Sequence, residues 1–563
     1  MQNEHQNDGV TDGPKPNRED EKKMNKQMTP AQIELLQQSS IRPKLDTRPH
    51  PAMSIAFVVF LVAGVLFTAY SLYSDIESTT VHPTTWVPFL FLALALFIAL
   101  GFEFVNGFHD TANAVATGIY THSLPPLPAV IWSGFCNFLG VMVSSGAVAF
   151  GIIVLLPVEL ILQVGSGAGF AMVFALLIAA IIWNLGTWYL GLPVSSSHTL
   201  IGSIIGVGIA NELVGANGAT SGVDWQQAMH VGESLLFSPF AGFVCAALLL
   251  LALKFLVRKP SLYAEPHGDT PPPLWIRAIL VLTCTGVSFA HGSNDGQKGM
   301  GLIMLILIGI APTAYALNRA MDPSLIDSFQ VVAADAERML AAHSGGVAAP
   351  ANPRDAVGAY LRDRQMSPDT ISALAALSAD IARQVREYGS LDAVPAQSVQ
   401  NVRNDMYLAG EALRHIAKTG QGSFNTAELA SLGKFEDFLD DATKYIPDWV
   451  KIAVAIALGL NTMVGWKRIV VTVGERIGKQ HLTYAQGACA EVVAMATIAA
   501  ADSYGLPVST THVLSSGVAG TMAANGSGLQ WRTVRNLLLA WVLTLPAAIV
   551  LSGFLFILLR QVL

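Results

Sequence analysis

Two stretches of apolar sequence each carry an acidic residue among glycines and amides. Asp110 lies in the string NGFHDTANA (106–114), and Asp295 lies in the string HGSNDGQKG (291–299). An ionisable side chain inside a membrane span is costly, so its presence indicates a function such as binding a cation or carrying a proton. The structural alternative is that each aspartate caps a half-helix that begins after it. Because the pattern occurs twice, we favour a functional pair, placed at the ends of helices.

Two other strings place hydroxyl groups directly after a Gly-x-Pro sequence. They are GLPVSSSH (191–198) and GLPVSTTH (505–512). Proline interrupts a helix, so each string predicts a discontinuous span whose second half begins at the hydroxyls. Free backbone N–H groups and the positive dipole end at such a start can bind an anion without lysine or arginine. The alternative is that small polar residues only allow close helix packing. The predicted oxyanion-binding hydroxyls are Ser195, Ser196, Ser197, Ser509, Thr510 and Thr511.

The remaining polar residues of these strings are assigned by their chemistry. Lys298 is assigned to the anion, although pairing with Asp295 is equally consistent with the sequence. Glu103 has no acidic counterpart in the second half, where Ser288 takes its place, and it could carry a proton or be a hydrogen-bonded packing residue. The predicted cation or proton set is Asp110, Asn113, Asn294, Asp295, His109 and Glu103. The predicted supporting set is Asn106, His291, Gln297, His198 and His512. The alternative for His198 and His512 is that they only form hydrogen bonds with backbone groups that the helix breaks leave without partners.

The composition excludes an ordinary soluble protein. The chain has 563 residues, 52% of them hydrophobic and 13% charged, with a mean hydropathy of +0.47. An average soluble domain carries about 25% charge, and several apolar runs here reach the roughly 20 residues that cross a bilayer. The sequence has no stripe of basic residues of the kind that binds nucleic acid. The four cysteines lie in apolar runs without metal-ligand spacing, as packing residues do.

The strings occur in the same order twice, which indicates a duplicated unit with an insert in its second copy. We predict an all-α, polytopic membrane bundle of about ten to twelve spans with discontinuous helices and two inverted-topology repeats. The predicted parts are a polar cytoplasmic tail (1–51), an extra N-terminal transmembrane helix (52–72), repeat 1 (86–257), a cytoplasmic linker (258–274) and repeat 2 (275–558), which a soluble helical insert (318–447) interrupts.

Lysine and arginine placement predicts the orientation. The tail before Ala52 holds eight basic residues, so we place it in the cytoplasm of a multi-pass inner-membrane protein. Loops 73–85, 155–168 and 211–232 contain none, whereas Lys467, Arg468, Arg476 and Lys479 flank a later span. One order of membrane crossings places all of these basic residues on the cytoplasmic side. It requires the two halves to have inverted topology and the insert to lie outside the cytoplasm.

The four strings, their order and their duplication resemble the inorganic phosphate transporter (PiT) family. The resemblance covers Trp86–Leu563 apart from the insert and looks closest to bacterial low-affinity phosphate permeases. The family's GANDxANA element appears here as Gly107–Ala114 and as Gly292–Gly299. The first copy departs from it at His109, and the second departs at Gln297 and Lys298.

The resemblance implies an inverted-repeat fold with phosphate held near its centre. Sodium-coupled relatives use the Asn-Asp elements as cation ligands, so the departures look more like the proton-coupled branch. That branch moves phosphate together with a divalent metal as a neutral complex. We therefore expect a secondary active phosphate symporter without a resident cofactor, in which Asp110 and Asp295 contact a substrate-associated metal such as Mg²⁺.

Other functions remain open at this point. A sodium-coupled phosphate symporter and a sulfate permease fit the same fold, and sulfate has the same tetrahedral shape. An anion channel would need a continuous polar lining or a charged ring. An intramembrane hydrolase could use Ser197 or His198, but the duplicated motif would then lack an assigned nucleophile, so we expect no enzyme. The sequence does not determine whether the chain is a monomer or a homo-oligomer.

Overall fold

The structure is a computed structural model that describes residues 43–45, 49–79, 87–162, 166–214, 223–266, 270–322 and 324–563. Most of the predicted tail (1–51) therefore lies outside the described residues. The described part contains α-helices and no β-strand. The helices are α1 Pro51–Glu77, α2 Val87–Tyr120, α3 Pro126–Val143, α4 Ala147–Ile153, α5 Val158–Leu162, α6 Gly167–Tyr189, α7 Ser196–Val214, α8 Trp225–Leu256, α9 Leu274–Ile310, α10 Pro312–Tyr315, α11 Leu325–Ala342, α12 Pro353–Asp363, α13 Thr370–Tyr388, α14 Ala396–Thr419, α15 Thr426–Thr443, α16 Asp448–Asn461, α17 Lys467–Val471, α18 Tyr484–Ser503, α19 Thr510–Asn525 and α20 Trp531–Leu559.

Nine of these helices are long and apolar enough to cross a membrane, counting the described residues alone. They are α1, α2, α3, α6, α7, α8, α9, α18 and α20. Helices α16 and α19 have 14 and 16 residues, fewer than the roughly 20 of a full crossing. The prediction of an all-α, multi-pass membrane bundle is confirmed, and its count of spans depends on how these two short helices are counted.

The two Gly-x-Pro strings interrupt helices, as predicted. Helix α6 ends at Tyr189 and α7 begins at Ser196, while α18 ends at Ser503 and α19 begins at Thr510. Gly191 and Gly505 have φ angles of +68° and +64°, a left-handed conformation that glycine adopts without a steric cost. The proline two residues later lacks the N–H that would continue the helix.

The expectation that Asp110 and Asp295 lie at helix ends is wrong. Helix α2 runs unbroken for 34 residues and α9 for 37, so each aspartate lies in the middle of a helix. Neither acidic string contains proline, and a glycine inside a helix costs only about 0.5–1 kcal/mol relative to alanine. Packing offsets that cost: a Cβ added at Gly292 would overlap the carbonyl oxygen of Asn137, so glycine lets α3 and α9 approach closely.

The end of α1 lies beside the segment that was predicted as an insert. The carboxylate of Asp75 accepts hydrogen bonds from Tyr315 Oη and Trp449 Nε1, both at 2.8 Å. These two residues flank the helices α11 to α15. Helix α1 therefore begins at the end of the bundle opposite to helices α11 to α15.

Residues 325–443 form five helices, α11 to α15. The two longest of them, α13 and α14, each end at a glycine with positive φ, Gly389 and Gly420. Their apolar faces share a core in which Phe329 stacks on Phe435 and Phe438. The core of these helices is continuous with that of the neighbouring bundle helices, and the solubility of the segment as a separate domain stays a prediction.

Each broken helix packs on the last helix of the other half. Helix α7 lies against α20, and α19 lies against α8, while α9 contacts α2, α3 and α18. This reciprocal packing is the arrangement that two symmetry-related repeats predict. Inversion itself stays a prediction, which superposition of 86–257 on 275–558 would test.

Candidate functional site

The N-terminal ends of α7 and α19 meet in the interior of the bundle. Ser197 Oγ donates to the carbonyl oxygen of Val508, just before α19, over 2.9 Å. The rings of His198 and His512 lie 4.7 Å apart, and Trp541 stacks on His512 at 4.1 Å. The two hydroxyl strings, 314 positions apart in the sequence, thus form one buried junction.

The carboxylate of Asp110 joins the two half-helices. One oxygen accepts from Ser196 Oγ at 2.7 Å, and the other accepts from Thr511 Oγ1. Ser195 and Ser509 instead cap their own helices, accepting the N–H groups of the residues three positions on. The paired helix starts therefore already face a negatively charged group, as their dipoles favour.

Lys298 lies beside the second aspartate. Its Nζ is 2.6 Å from Asp295 Oδ1 and donates to Ser197 Oγ, also over 2.6 Å. All three residues are at most 1% exposed. The structure thus places the lysine in a pair with Asp295 and in contact with one of the predicted anion-binding hydroxyls.

His291 lies between the two aspartates. Its Nδ1 contacts Asn137 Oδ1 at 2.5 Å, and its Nε2 is 3.9 Å from Asp110 and 3.6 Å from Asp295. Nε2 has no hydrogen-bond partner among the described residues, whereas Asp295 Oδ1 is paired with Lys298. One ligand atom from each of the three lies within 4.8 Å of the others. Two carboxylates and an imidazole suit a divalent cation, so these residues fit a metal that travels with the substrate.

Helix α9 also holds the second break in place. Asn294 donates to the carbonyl oxygen of Leu506 at 3.2 Å. Gln297 and Ser293 each donate to the carboxylate of Asp502 over 2.6 Å. Sequence reasoning missed Asp502, which has no acidic counterpart in the first half, and it also missed Asn137. These residues orient predicted site residues and fix the position of the break relative to α9.

The other predicted residues of α2 are spread around the carboxylates. Glu103 is fully buried against Gly299, and its carboxylate oxygens lack hydrogen-bond partners in the described part of the chain. Asn106 is fully buried as well. His109 turns to α6, where Nε2 is 2.8 Å from the carbonyl oxygen of Asn184. The side chain of Asn113 lies outside the described residues.

A cavity of about 1520 Å³ reaches the second break from the side of α11 to α15. Arg414, Lys418 and Asp440 of those helices line it, and so do Gly505 and Val508 of the second break. Val508 accepts the hydrogen bond from Ser197 that joins the two half-helices. An aqueous solute at this face of the bundle therefore has a path to the wall of the junction.

The chain is similar to several known proteins. A family model described as the phosphate transporter family matches residues 106–552. The low-affinity inorganic phosphate transporter PitA of Escherichia coli K12 is 40% identical over 506 residues, covering 83% of this chain and 96% of that protein. PitB of the same strain is 40% identical over 484 residues, with the same coverage. A solved structure described as the sodium-dependent phosphate transporter aligns with 84% of this chain and 100% of that chain, at 19% identity and a TM-score of 0.46. That likeness is too weak to carry an argument.

Proposed function

This chain belongs to the phosphate transporter family, and we propose that it is a secondary active symporter of inorganic phosphate, driven by protons and carrying phosphate together with a divalent cation. Its relatives are transporters and not enzymes, as the sequence predicts. The relatives named as low-affinity inorganic phosphate transporters support phosphate as the substrate.

The observation that carries the proposal is the position of the Asp110 carboxylate. Hydroxyls of both half-helices, Ser196 and Thr511, donate to its two oxygens. A phosphate presents the same kind of oxygens, and two helix N-termini supply partial positive charge from opposite sides. Lys298, the cation that contacts Ser197, is paired with Asp295, so the helix starts hold the anion mainly through partial charges and it can bind and still leave.

A dianion beside two aspartates would be repelled unless a cation separates them. Asp110, His291 and Asp295 offer a divalent cation oxygen and nitrogen ligands at the required separation. HPO₄²⁻ bound to Mg²⁺ carries no net charge. Its crossing avoids the roughly 2.3 kcal/mol that each elementary charge costs per 100 mV of membrane potential.

Proton coupling needs a group that gains and loses a proton near this junction. Glu103 is a fully buried acidic residue of α2, and it contacts Gly299, next to Lys298. We assign the coupling proton to this carboxylate, with His109 as the second titratable group of α2. Carboxylates inside membrane helices serve as proton carriers in transporters, taking up a proton on one side of the membrane and releasing it on the other.

The proposed setting is the inner membrane, with the N-terminus in the cytoplasm and the helices α11 to α15 outside it. The basic cluster of Lys467, Arg468, Arg476 and Lys479 supports this orientation, since such residues favour the cytoplasmic face. The contacts of Asp75 place the end of α1 beside the insert. The tail and the insert then lie on opposite sides.

Uptake into proteoliposomes tests the proposal. Radiolabelled phosphate should accumulate above its external concentration when the lumen is alkaline, should require Mg²⁺, and should be insensitive to replacing Na⁺ by choline. A protonophore should abolish the accumulation. Asp110→Asn should lose it, whereas the same change at Asp437, exposed on α15, should not. Uptake that requires Na⁺ at fixed pH and ignores the protonophore would refute proton coupling, and accumulation of sulfate in place of phosphate would refute the substrate.

A further inference from the structure

Lys298 holds a positive charge in a position surrounded by oxygen atoms. Its Nζ lies 2.6 Å from Asp295 Oδ1 and 2.6 Å from Ser197 Oγ. Ser197 in turn donates to the carbonyl oxygen of Val508, which belongs to the unwound segment before α19. Unwound backbone carbonyls beside a broken helix bind Na⁺ in transporters built from inverted repeats, and carboxylate oxygens are ligands that a hard cation accepts. The ammonium lies between the carboxylate of Asp295 and the hydroxyl of Ser197, which is itself bonded to such a carbonyl.

The chain carries a different residue at the matching position of its own first copy. Lys298 is the third residue after Asp295, and the third residue after Asp110 is Asn113. Asparagine offers a neutral amide and brings no charge of its own. The two aspartates therefore have different partners: Asp110 accepts from the hydroxyls of Ser196 and Thr511, and Asp295 has an ammonium.

We propose that the ammonium of Lys298 is a covalently attached substitute for a monovalent coupling cation, and that it excludes Na⁺ from the position between Asp295 and Ser197. The inference rests on the proposed transport function and identifies the residue that makes this transport independent of Na⁺. A buried carboxylate needs a compensating charge, and here the chain supplies it. Because this cation cannot leave, it cannot carry charge or stored energy across the membrane.

The same geometry argues against Lys298 as an unpaired cation that attracts the anion. Its amine contacts a carboxylate on one side and a serine hydroxyl on the other, and that hydroxyl donates onward to Val508. An ammonium held in this way neutralises Asp295 before any phosphate arrives. Its main effect on the substrate is then electrostatic, through the reduced charge of the aspartate pair.

The test compares wild-type protein with Lys298→Asn, which restores the residue of the first copy. Lys434→Asn is the matched control, because Lys434 is exposed on α15, away from the junction. Phosphate uptake into proteoliposomes is measured at fixed pH in NaCl and in choline chloride. In parallel, the Tm of each detergent-purified full-length protein is measured in the two salts without phosphate.

We expect Na⁺ to stimulate uptake by Lys298→Asn roughly tenfold, a size usual for coupling between two bound ligands. Phosphate uptake by the wild-type protein and by the Lys434→Asn control should be the same in NaCl and in choline chloride. Na⁺ should also raise the Tm of Lys298→Asn above its value in choline, because a bound ion stabilises the folded state.

Three results would overturn the inference. They are Na⁺-stimulated uptake by the wild type, wild-type rates of Lys298→Asn in choline, or a Lys298→Asn protein whose Tm is the same in both salts. If Lys298→Asn transports in neither salt, the Tm comparison decides alone. If the wild type transports no phosphate under any condition, the proposed function fails, while the Tm comparison still judges the role of Lys298.

Discussion

Replacing Asp295 by asparagine should destabilise the folded protein, because it leaves the ammonium of Lys298 buried beside a neutral amide. The pair is fully buried, with Nζ 2.6 Å from Oδ1. Removing one partner of a buried ion pair typically costs about 3–5 kcal/mol, since the remaining charge is uncompensated. Ser197 Oγ still accepts one hydrogen bond from the ammonium, so we expect the lower end of that range.

The matched variant is Asp110→Asn, in which a carboxylate is also lost but no cation is left unpaired. Asp110 accepts from two hydroxyls. A hydrogen bond to a charged group contributes about 1.5–3 kcal/mol and a neutral one about 0.5–1.5 kcal/mol. The cost of Asp110→Asn should therefore be about 1–3 kcal/mol, below that of Asp295→Asn.

Thermal unfolding of the purified proteins in detergent, followed by tryptophan fluorescence, measures these differences. At about 2.1 cal/mol/K per residue, the 563 residues give an unfolding entropy of about 1.2 kcal/mol/K. The loss for Asp295→Asn then lowers the Tm by about 3 °C. Adding Lys298→Met removes the unpaired charge, so the double variant should regain most of this loss, as strongly coupled neighbours do.

Two results would refute this reasoning. The first is an Asp295→Asn protein with the Tm of the wild type. The second is a double variant with Lys298→Met that is no more stable than Asp295→Asn alone. Either would mean that the buried lysine does not depend on Asp295 for its charge compensation.

Three further predictions concern binding, topology and the insert. Ser196→Ala removes one neutral hydroxyl donor at the start of α7, so the apparent KM for phosphate should rise about 2–10-fold with little change in maximal rate; an unchanged KM contradicts the role of this hydroxyl. A cysteine at Glu337, in a cysteine-free background, should react with an impermeant maleimide in intact cells, and reaction only in inside-out vesicles would reverse the topology. Burial favours a raised pKa for Glu411, but Lys444 and Arg414 hold that pKa below its usual value. The stability this gives is present above about pH 4.3 and is lost as the pH falls further, so Glu411→Gln should lower the Tm at pH 7 and flatten its acid-side decline, and parallel pH profiles would contradict this.

The breaks in the helices could be predicted because they follow from local chemistry. Pro193 and Pro507 lack an N–H, and Gly191 and Gly505 adopt positive φ angles, so the interruption needs no information from elsewhere in the chain. The duplication of the strings then indicated that the two breaks belong to one site. Their hydroxyl residues do meet at one buried junction.

The partners at the junction could not be predicted, because they depend on how distant helices approach. The sequence was equally consistent with Lys298 facing the anion or Asp295, and the choice depends on α7 bringing Ser197 to α9. Asn137 and Asp502 are single polar residues in largely apolar sequence, so no repeat or spacing singled them out. The unbroken course of α2 and α9 likewise depends on helix packing, which overrides the weak helix propensity of glycine.

Phosphate should bind between the starts of α7 and α19, with its cation held by Asp110, His291 and Asp295. Crystals grown with phosphate and Mn²⁺, measured at the manganese absorption edge, test this most directly. We expect one anomalous peak among these three residues, with phosphate density in contact with it and with Ser196 and Thr511. Phosphate and manganese found elsewhere in the protein, with this junction closed around Asp110 alone, would contradict it.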